Sequence, residues 1–219
     1  MSALNPDQLI DLLAFGQGRR DEAPNIALAR QLAAAEDAIA IERLAQLLHH
    51  KKADIRSDAI KVLYEIGELK PHLLQPHLSL FLEILSEKNN RLQWGAMTAL
   101  RTLTPDNPEM IYANLPAILV AAGQGSVITR DQAVMILIVL AGIEKFHQDA
   151  MALILEQLTA APENQLPMYA ERCMPVLQKA DYQEFIQVLA IRLPGMESVT
   201  KKKRVEKVIS QARKRMNGK

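Results

Sequence analysis

The fold is decided by the 14-residue stretch Asn90-Arg91-Leu92-Gln93-Trp94-Gly95-Ala96-Met97-Thr98-Ala99-Leu100-Arg101-Thr102-Leu103, because its apolar pattern returns every 37 residues. Three columns of residues keep this spacing across four units: Ala59, Ala96, Ala133 and Ala170; Leu63, Leu100, Leu137 and Met174; Ile66, Leu103, Leu140 and Leu177. Within each unit the three positions lie on one face of an α-helix. A period of roughly 20–50 residues is typical of stacked supersecondary units, so the chain is predicted to be a repeat protein.

Working outward from this stretch, each unit contains two helices with apolar residues at helical spacing. The predicted pairs span residues 36–50 and 54–69, 71–87 and 90–103, 107–122 and 126–142, 147–159 and 166–179, and a fifth pair from 181 into a basic helix after 200. Asp54 and Ser126 are predicted helix N-caps, and Asp181 with Glu184 resembles a capping box. Pro175 is expected to kink or end its helix.

Two second helices carry a family resemblance: Asp54-Ile55-Arg56-Ser57-Asp58-Ala59-Ile60-Lys61-Val62-Leu63 and Asn90 to Leu100. Both resemble the second helices of HEAT repeats, in which an Asp or Asn opens the helix, a basic residue follows, and Ala and Leu recur at helical spacing. The resemblance covers residues 36–180. It implies an all-α, right-handed superhelical solenoid of about five antiparallel helix pairs, in the armadillo-like class, with the second helices lining a concave groove. The third unit has Arg130-Asp131 in the reverse order, and the fourth has no Asp–Arg pair.

The predicted organisation is one continuous domain in three segments. Residues 1–35 form capping helices, including a short helix over 8–15 that Asn5-Pro6 opens and the Gly16-Gln17-Gly18 stretch ends. Residues 36–180 hold the HEAT-like repeats, and residues 181–219 hold the C-terminal helix pair with the basic final helix. Capping segments of this kind close the open ends of a repeat array.

Composition excludes several classes of protein. With 49% apolar and 23% charged residues, the chain is not intrinsically disordered. The single cysteine excludes a disulfide framework and a four-thiolate zinc site, and it fits a reducing compartment, so the expected location is the cytoplasm. The apolar run from Ala133 to Ile143 is shorter than the ~20 residues that span a bilayer, and no membrane partner is expected.

The formal net charge of +1 conceals an asymmetry. Residues 198–219 carry nine basic residues, among them Lys219, and one acid, Glu206. Subtracting them from totals of 26 basic and 25 acidic residues leaves 17 and 24, so an acidic body of net charge −7 carries a basic C-terminal segment of net charge +8. Such asymmetry indicates an acidic partner, nucleic acid or otherwise.

The concave side of the solenoid is predicted from the helix positions opposite the apolar columns. On residues 90–103 these positions include Trp94, Thr98 and Arg101. Shifts of 37 residues extend the groove, so the predicted protein-binding residues are Lys61, Tyr64, Trp94, Thr98, Arg101, Met135 and Arg172. Trp and Arg are typical hot-spot residues. Two alternatives stay open: Trp94 packs against a neighbouring repeat, or the apolar face around Met135 is buried.

Catalytic, metal and cofactor sites are not predicted. The five histidines lack metal-ligand spacing, Cys173 is expected to be a small core residue, and nucleotide-binding fingerprints are absent from the sequence. A family of DNA glycosylases is built from HEAT-like repeats, with tryptophans in the groove and an aspartate one turn beyond one of them. Here Thr98 stands one turn after the only tryptophan, so the chain is predicted not to be an enzyme.

The basic segment supports a second hypothesis. Lys201, Lys202, Lys203, Arg204 and Lys207 are candidate nucleic-acid contacts, although aromatic residues for base stacking do not accompany them. Alternatively, this helix is a solvated end cap whose apolar positions, Val205, Val208, Ile209 and Ala212, pack inward. The leading prediction is a non-catalytic scaffold that binds a protein or peptide in its groove. Nucleic-acid binding, with or without a role in repair, is the alternative.

Overall fold

Helices alone build the structure, a computed structural model that describes residues 6–218. These residues form thirteen α-helices and three short 3₁₀ helices, without any β-strand, so the all-α prediction is confirmed. The chain divides into two compact units, Met1–Ala133 and Val134–Lys219. Among residues 6–218, no helix combines the length and apolarity that crossing a lipid bilayer would require.

The first unit arranges its helices in two layers. Its α-helices are α1 (Pro6–Leu12), α2 (Ala23–Ala35), α3 (Ala38–Leu47), α4 (Ala53–Leu69), α5 (Leu78–Ile84), α6 (Asn90–Leu103), α7 (Pro108–Ala113) and α8 (Leu115–Gln124). In one layer α4 packs between α2 and α6. In the other, α3 lies between α1 and the 3₁₀ helix Pro71–His77, which continues into α5. Contacts of α3 with α4 and of α5 with α6 join the two layers.

The second unit repeats this arrangement. α9 (Val127–Ala141) crosses the boundary between the units, and the 3₁₀ helix Glu144–Phe146 leads into α10 (His147–Ala160). α11 (Leu166–Cys173), α12 (Tyr182–Arg192), the 3₁₀ helix Leu193–Gly195 and α13 (Val199–Met216) follow. α10 packs on α12 in one layer and α11 on α13 in the other, while α10 also contacts α11 and α12 contacts α13.

The apolar columns of the 37-residue period lie in the core. All twelve positions are buried, and the alanines at 59, 96, 133 and 170 are at most 1% exposed. Small residues allow α4 and α6 to approach closely, because a Cβ atom on Gly95 would lie only 2.6 Å from Cγ1 of Ile60. Burial of a Leu-sized side chain contributes ~1.5–3 kcal/mol, so these columns are a main source of stability for helices that would be marginal alone.

Capping side chains account for several of the helix ends, and the predicted caps are correct only in part. The Asn89 side chain caps α6 by accepting from the backbone N–H of Arg91 (2.9 Å) and Leu92 (3.2 Å). Ser126 Oγ accepts from Thr129 N–H at 3.2 Å, as predicted. Asp54 is not an N-cap as predicted; it lies in the first turn of α4, and Lys52 precedes the helix.

Prolines and tertiary contacts account for the other differences. α11 ends at Cys173, two residues before Pro175, as expected, whereas Pro76 leaves the predicted helix 71–87 as a 3₁₀ turn followed by α5. The Asp181 carboxylate makes no capping bond to α12, so the predicted capping box is wrong.

The N-terminal helix is shifted, since α1 spans Pro6–Leu12 and a turn through Gly18, at φ +64°, replaces the rest of the predicted 8–15 helix. Residues 1–5, including Asn5, and Lys219 lie outside the described residues. The boundary between the compact units falls after residue 133, whereas the predicted segments meet at residues 35 and 180. The helix predicted to end at residue 122 extends two residues further, because α8 ends at Gln124 before Gly125.

Candidate functional site

Trp94 lies half-buried on α6 and is held on two sides. Its ring contacts the ring of Tyr64 on α4, with centroids 5.4 Å apart and planes tilted by 53°. The guanidinium carbon of Arg91, one turn earlier on α6, lies 5.8 Å from the centre of the indole. Edge-tilted aromatic pairs and cation–π contacts each contribute ~0.5–1.5 kcal/mol, so these contacts restrict the orientation of the indole.

A group of charged side chains lies next to the two rings. The Lys61 ammonium is 2.9 Å from Glu22 and 2.7 Å from Glu65, and it sits 4.7 Å from the centre of the Tyr64 ring. Glu22 also forms an ion pair with Arg91, so one carboxylate joins residues from α4 and α6. We call Glu22, Lys61, Tyr64, Arg91 and Trp94 the Trp94 cluster.

The pKa values in the Trp94 cluster follow from these contacts. Burial raises the pKa of Glu22, but hydrogen bonds from Lys61 and Arg91 outweigh it, and the pKa ends below the ordinary carboxyl value. Burial lowers the pKa of Lys61, yet its bonds to Glu65, Tyr64 and Glu22 outweigh burial and raise the pKa. Both groups are therefore charged at neutral pH.

Burial separates the predicted groove residues of the first unit into a supporting and an accessible set. Lys61 is 6% exposed, Tyr64 7% and Thr98 6%, and the Thr98 hydroxyl donates to the Trp94 carbonyl at 2.8 Å. Trp94 and Arg101 are more accessible. Arg101 pairs with Glu68 of α4 and donates to Gln132 of α9 at 2.6 Å, so its guanidinium joins three helices.

A depression of about 550 Å³ adjoins the Trp94 cluster at Glu22 and Arg91. Its walls carry both signs of charge and come from the segment after α1 and from α4: Ala14, Phe15, Gly18, Arg19, Arg20, Asp21, Asp54, Ser57 and Asp58 complete the lining. Asp58 is fully engaged, since it accepts from Phe15 N–H at 2.7 Å and from the Asn25 amide at 2.8 Å.

The other predicted groove residues, Met135 and Arg172, belong to the second unit. Met135 is half-buried on α9, and Arg172 is exposed on α11. Ile138, one turn after Met135, is also half-buried, while Ile136 and Leu137 between them are fully buried. The face around Met135 is thus half-buried.

The five candidate nucleic-acid residues all lie on α13. Val205, Val208, Ile209 and Ala212 are at most 5% exposed, so the predicted inward packing of this helix is confirmed. Arg204 donates to both carboxylate oxygens of Glu171 on α11, at 2.9 and 2.7 Å, and these bonds lower the pKa of Glu171. Lys201 donates to Asn164. Lys203 and Lys207 are exposed, and Lys202 is half-buried.

The side chains of Cys173 and His147 have structural environments. Burial raises the pKa of the Cys173 thiol to about 12, so the thiolate is scarce at neutral pH. His147 donates from Nδ1 to the Ala141 carbonyl at 2.6 Å, and its Nε2 lies 2.9 Å from Asp181. Both ring nitrogens therefore connect the start of α10 to other parts of the fold, the end of α9 and the residue before α12. In the part of the chain that the structure describes, no three His, Cys, Asp or Glu side chains are placed to hold a metal ion.

Sequence reasoning missed Glu22 and the His147–Asp181 contact. Glu22 stands 39 residues before Lys61 and 69 before Arg91, and no local pattern marks it. Arg91 could have been found, because an arginine three residues before a tryptophan shares its helix face.

Comparisons with known proteins add information on the fold alone. Neither protein-family models nor curated protein sequences give a match to this chain. Among solved structures, the chain is similar to the crystal structure of an engineered protein from the Northeast Structural Genomics Consortium, with a TM-score of 0.61 and 13% sequence identity. The similarity covers 97% of this chain and 93% of the engineered one.

Proposed function

We propose that this chain is a non-catalytic scaffold that binds a protein or peptide partner through the surface around Trp94. We further propose that it is a HEAT-like, right-handed superhelical solenoid of about five antiparallel helix pairs. The burial of every position in the 37-residue columns and the two-layer packing within each unit support this architecture. The single, buried cysteine supports a cytoplasmic location.

The observation that carries the proposal is the combination of exposure and fixed orientation at Trp94, the only tryptophan. Trp94 is only half-buried, and Tyr64 and Arg91 hold it in place. A side chain that is already fixed loses little conformational entropy when a partner covers it, which favours affinity. Tryptophan, tyrosine and arginine are the residues most enriched in binding hot spots, and the Trp94 cluster contains all three.

The charges around Trp94 favour a protein partner over a phosphate backbone. Lys61, Arg91 and Arg101 are all paired with glutamates, so their charge is neutralised locally. A surface that binds polyphosphate needs cations that exchange counterions for phosphates. The neighbouring 550 Å³ depression, with walls of both signs, instead suits polar side chains of a peptide.

In this proposal the predicted groove residues have two roles. Trp94 and Arg101 contact the partner. Lys61, Tyr64 and Thr98 are buried and support the positions of these two residues. Met135 and Arg172, in the second unit, remain predicted contacts of the partner. Lys61 is the clearest supporting residue, because its side chain is only 8% exposed and pairs with two carboxylates.

Selection of peptides from a random displayed library, with the purified chain as bait, tests the proposal. Peptides that bind the wild type are then measured against Trp94→Ala and against Met110→Ala. Met110 serves as the control because it is 49% exposed on α7 and does not belong to the Trp94 cluster. Loss of a hot spot of about 2 kcal/mol weakens binding ~30-fold.

The expected result is weakening of that size for Trp94→Ala and unchanged affinity for Met110→Ala, with both variants folded by circular dichroism. Peptides that bind Trp94→Ala as tightly as the wild type would overturn the proposal. Equal weakening by both substitutions would also contradict it, because the effect would then not be specific to Trp94.

A further inference from the structure

The final helix α13 has two sides with different roles. Its inner side buries Val205, Val208, Ile209 and Ala212 against α11 and α12. Three of its cations fasten it to the same unit: Lys201 to Asn164, Arg204 to Glu171, and Arg215 to the Met174 carbonyl at 2.9 Å. Packing and these bonds fix which side of α13 faces outward.

The outward side carries a row of exposed lysines. Lys203, Lys207 and Lys214 are exposed and lie within about 40° of one another around the helix, with Ser210 between them. Among residues 6–218 they have no hydrogen-bond or close ion-pair partner, although the charge of Lys207 helps to lower the pKa of Glu171. We call Lys203, Lys207 and Lys214 the lysine row; it extends over ~16 Å at 1.5 Å per residue.

The composition of this side distinguishes between possible partners. Protein interfaces are depleted in lysine and need apolar anchors, but the lysine row is interrupted only by a serine. Insertion into a membrane surface needs an apolar face, and that of α13 is buried in the core. Single-stranded nucleic acid is recognised by stacking on aromatic rings, which α13 lacks.

The backbone of duplex DNA matches the lysine row in charge and length. Lysine acts as a point charge toward phosphate. The major groove of B-DNA is ~12 Å wide, so a row of ~16 Å reaches phosphates on both of its edges.

We propose that the outward side of α13 binds the phosphate backbone of double-stranded DNA, without sequence specificity, through Lys203, Lys207 and Lys214. This inference goes beyond the proposed function, since it concerns a surface of the second unit and a different class of partner. It also gives a role to the basic helix other than keeping the end of the chain solvated.

The test measures binding of the full chain to a fluorescent DNA duplex of about 20 base pairs between about 50 and 200 mM salt. The variant Lys203→Gln/Lys207→Gln/Lys214→Gln is compared with Lys51→Gln/Lys88→Gln/Lys179→Gln. The control removes the same charge from exposed lysines elsewhere. Melting temperatures of both variants confirm that they fold.

Three phosphate contacts contribute a slope of about −2.7 to log K against log salt, because each contributes about −0.9. Over the fourfold salt range, wild-type binding should weaken ~40-fold more than binding of the lysine-row variant. The control should retain the wild-type slope, and a single strand of equal length should bind more weakly than the duplex.

The proposal is overturned if the wild type does not bind duplex DNA at the lowest salt, or if both variants lose the same slope. Equal or tighter binding of the single strand contradicts the preference for duplex. Binding to polyglutamate or to anionic vesicles in place of DNA would identify another class of partner. Trp94→Ala should leave DNA binding unchanged, so this test is independent of the peptide-binding surface.

Discussion

Replacing Gly95 with alanine perturbs the closest approach between α4 and α6. A Cβ atom at this position would lie 2.6 Å from Cγ1 and 3.2 Å from Cγ2 of Ile60, a residue with no exposed surface. Carbon atoms in contact normally stay ~3.5–4.0 Å apart. Either α4 and α6 must separate by nearly 1 Å, or Ile60 must leave its rotamer.

Two opposing terms determine the expected change in stability. Alanine favours a helix interior over glycine by ~0.8–1 kcal/mol. Overpacking a tightly filled core costs ~1–3 kcal/mol. We therefore expect Gly95→Ala to lower the free energy of unfolding by about 1 kcal/mol, equivalent to ~2–4 °C in melting temperature for a chain of this length.

Gly123→Ala is the matched control, because it also places alanine in a helix, α8, but a Cβ there meets no atom within 4 Å. It should raise the free energy of unfolding by up to about 1 kcal/mol. Urea unfolding followed by Trp94 fluorescence, which reports on the first unit, compares the two variants.

The Ile60→Ala background makes the test sharper. Ile60→Ala alone should cost ~2–5 kcal/mol, and it removes the two carbon atoms, Cγ1 and Cγ2, that Gly95→Ala would approach too closely. In that background Gly95→Ala should therefore be stabilising, a reversal of sign. Stabilisation by Gly95→Ala in the wild-type background would refute the close packing of α4 on α6.

Two further predictions concern buried titratable groups. Cys173 is 0% exposed and burial raises its pKa to about 12, so a thiol reagent should label the native chain only at the rate of unfolding; rapid labelling would contradict its burial. Burial lowers the pKa of His77 although Glu42 lies nearby, so this histidine binds fewer protons in the folded chain than in the unfolded one. The free energy of unfolding should therefore fall as the pH drops below 6.5, and it should fall by less in His77→Gln. If the urea midpoints of the wild type and of His77→Gln change with pH in the same way, this effect is absent.

The fold could be predicted to the level of helix positions because the determining features are local. Apolar spacing located the second helices, and Ser126 and Pro175 marked helix ends where the structure has them. Prediction failed where a distant partner competed for a capping residue. Asp181 has the sequence context of an N-cap, yet its carboxylate contacts His147, 34 residues away.

The candidate site could be predicted only in part, for a similar reason. Helix geometry placed Trp94 and Arg101 on an accessible face. It assigned Lys61 to the same face and did not predict that Lys61 is buried. Glu22, which lies in the segment before α2, pairs with the Lys61 ammonium at 2.9 Å and contributes to its burial. Helix periodicity describes one helix at a time and cannot indicate which loop covers it.

The central claim, that a partner covers Trp94, is tested most directly by acrylamide quenching of its fluorescence. Trp94 is the only tryptophan, so all of the emission reports on this surface when the bound peptide lacks tryptophan. With a saturating library-selected peptide, the quenching constant should fall clearly below that of the unbound chain, because the indole becomes shielded. An unchanged quenching constant at saturation would show that the partner binds elsewhere and would contradict the account.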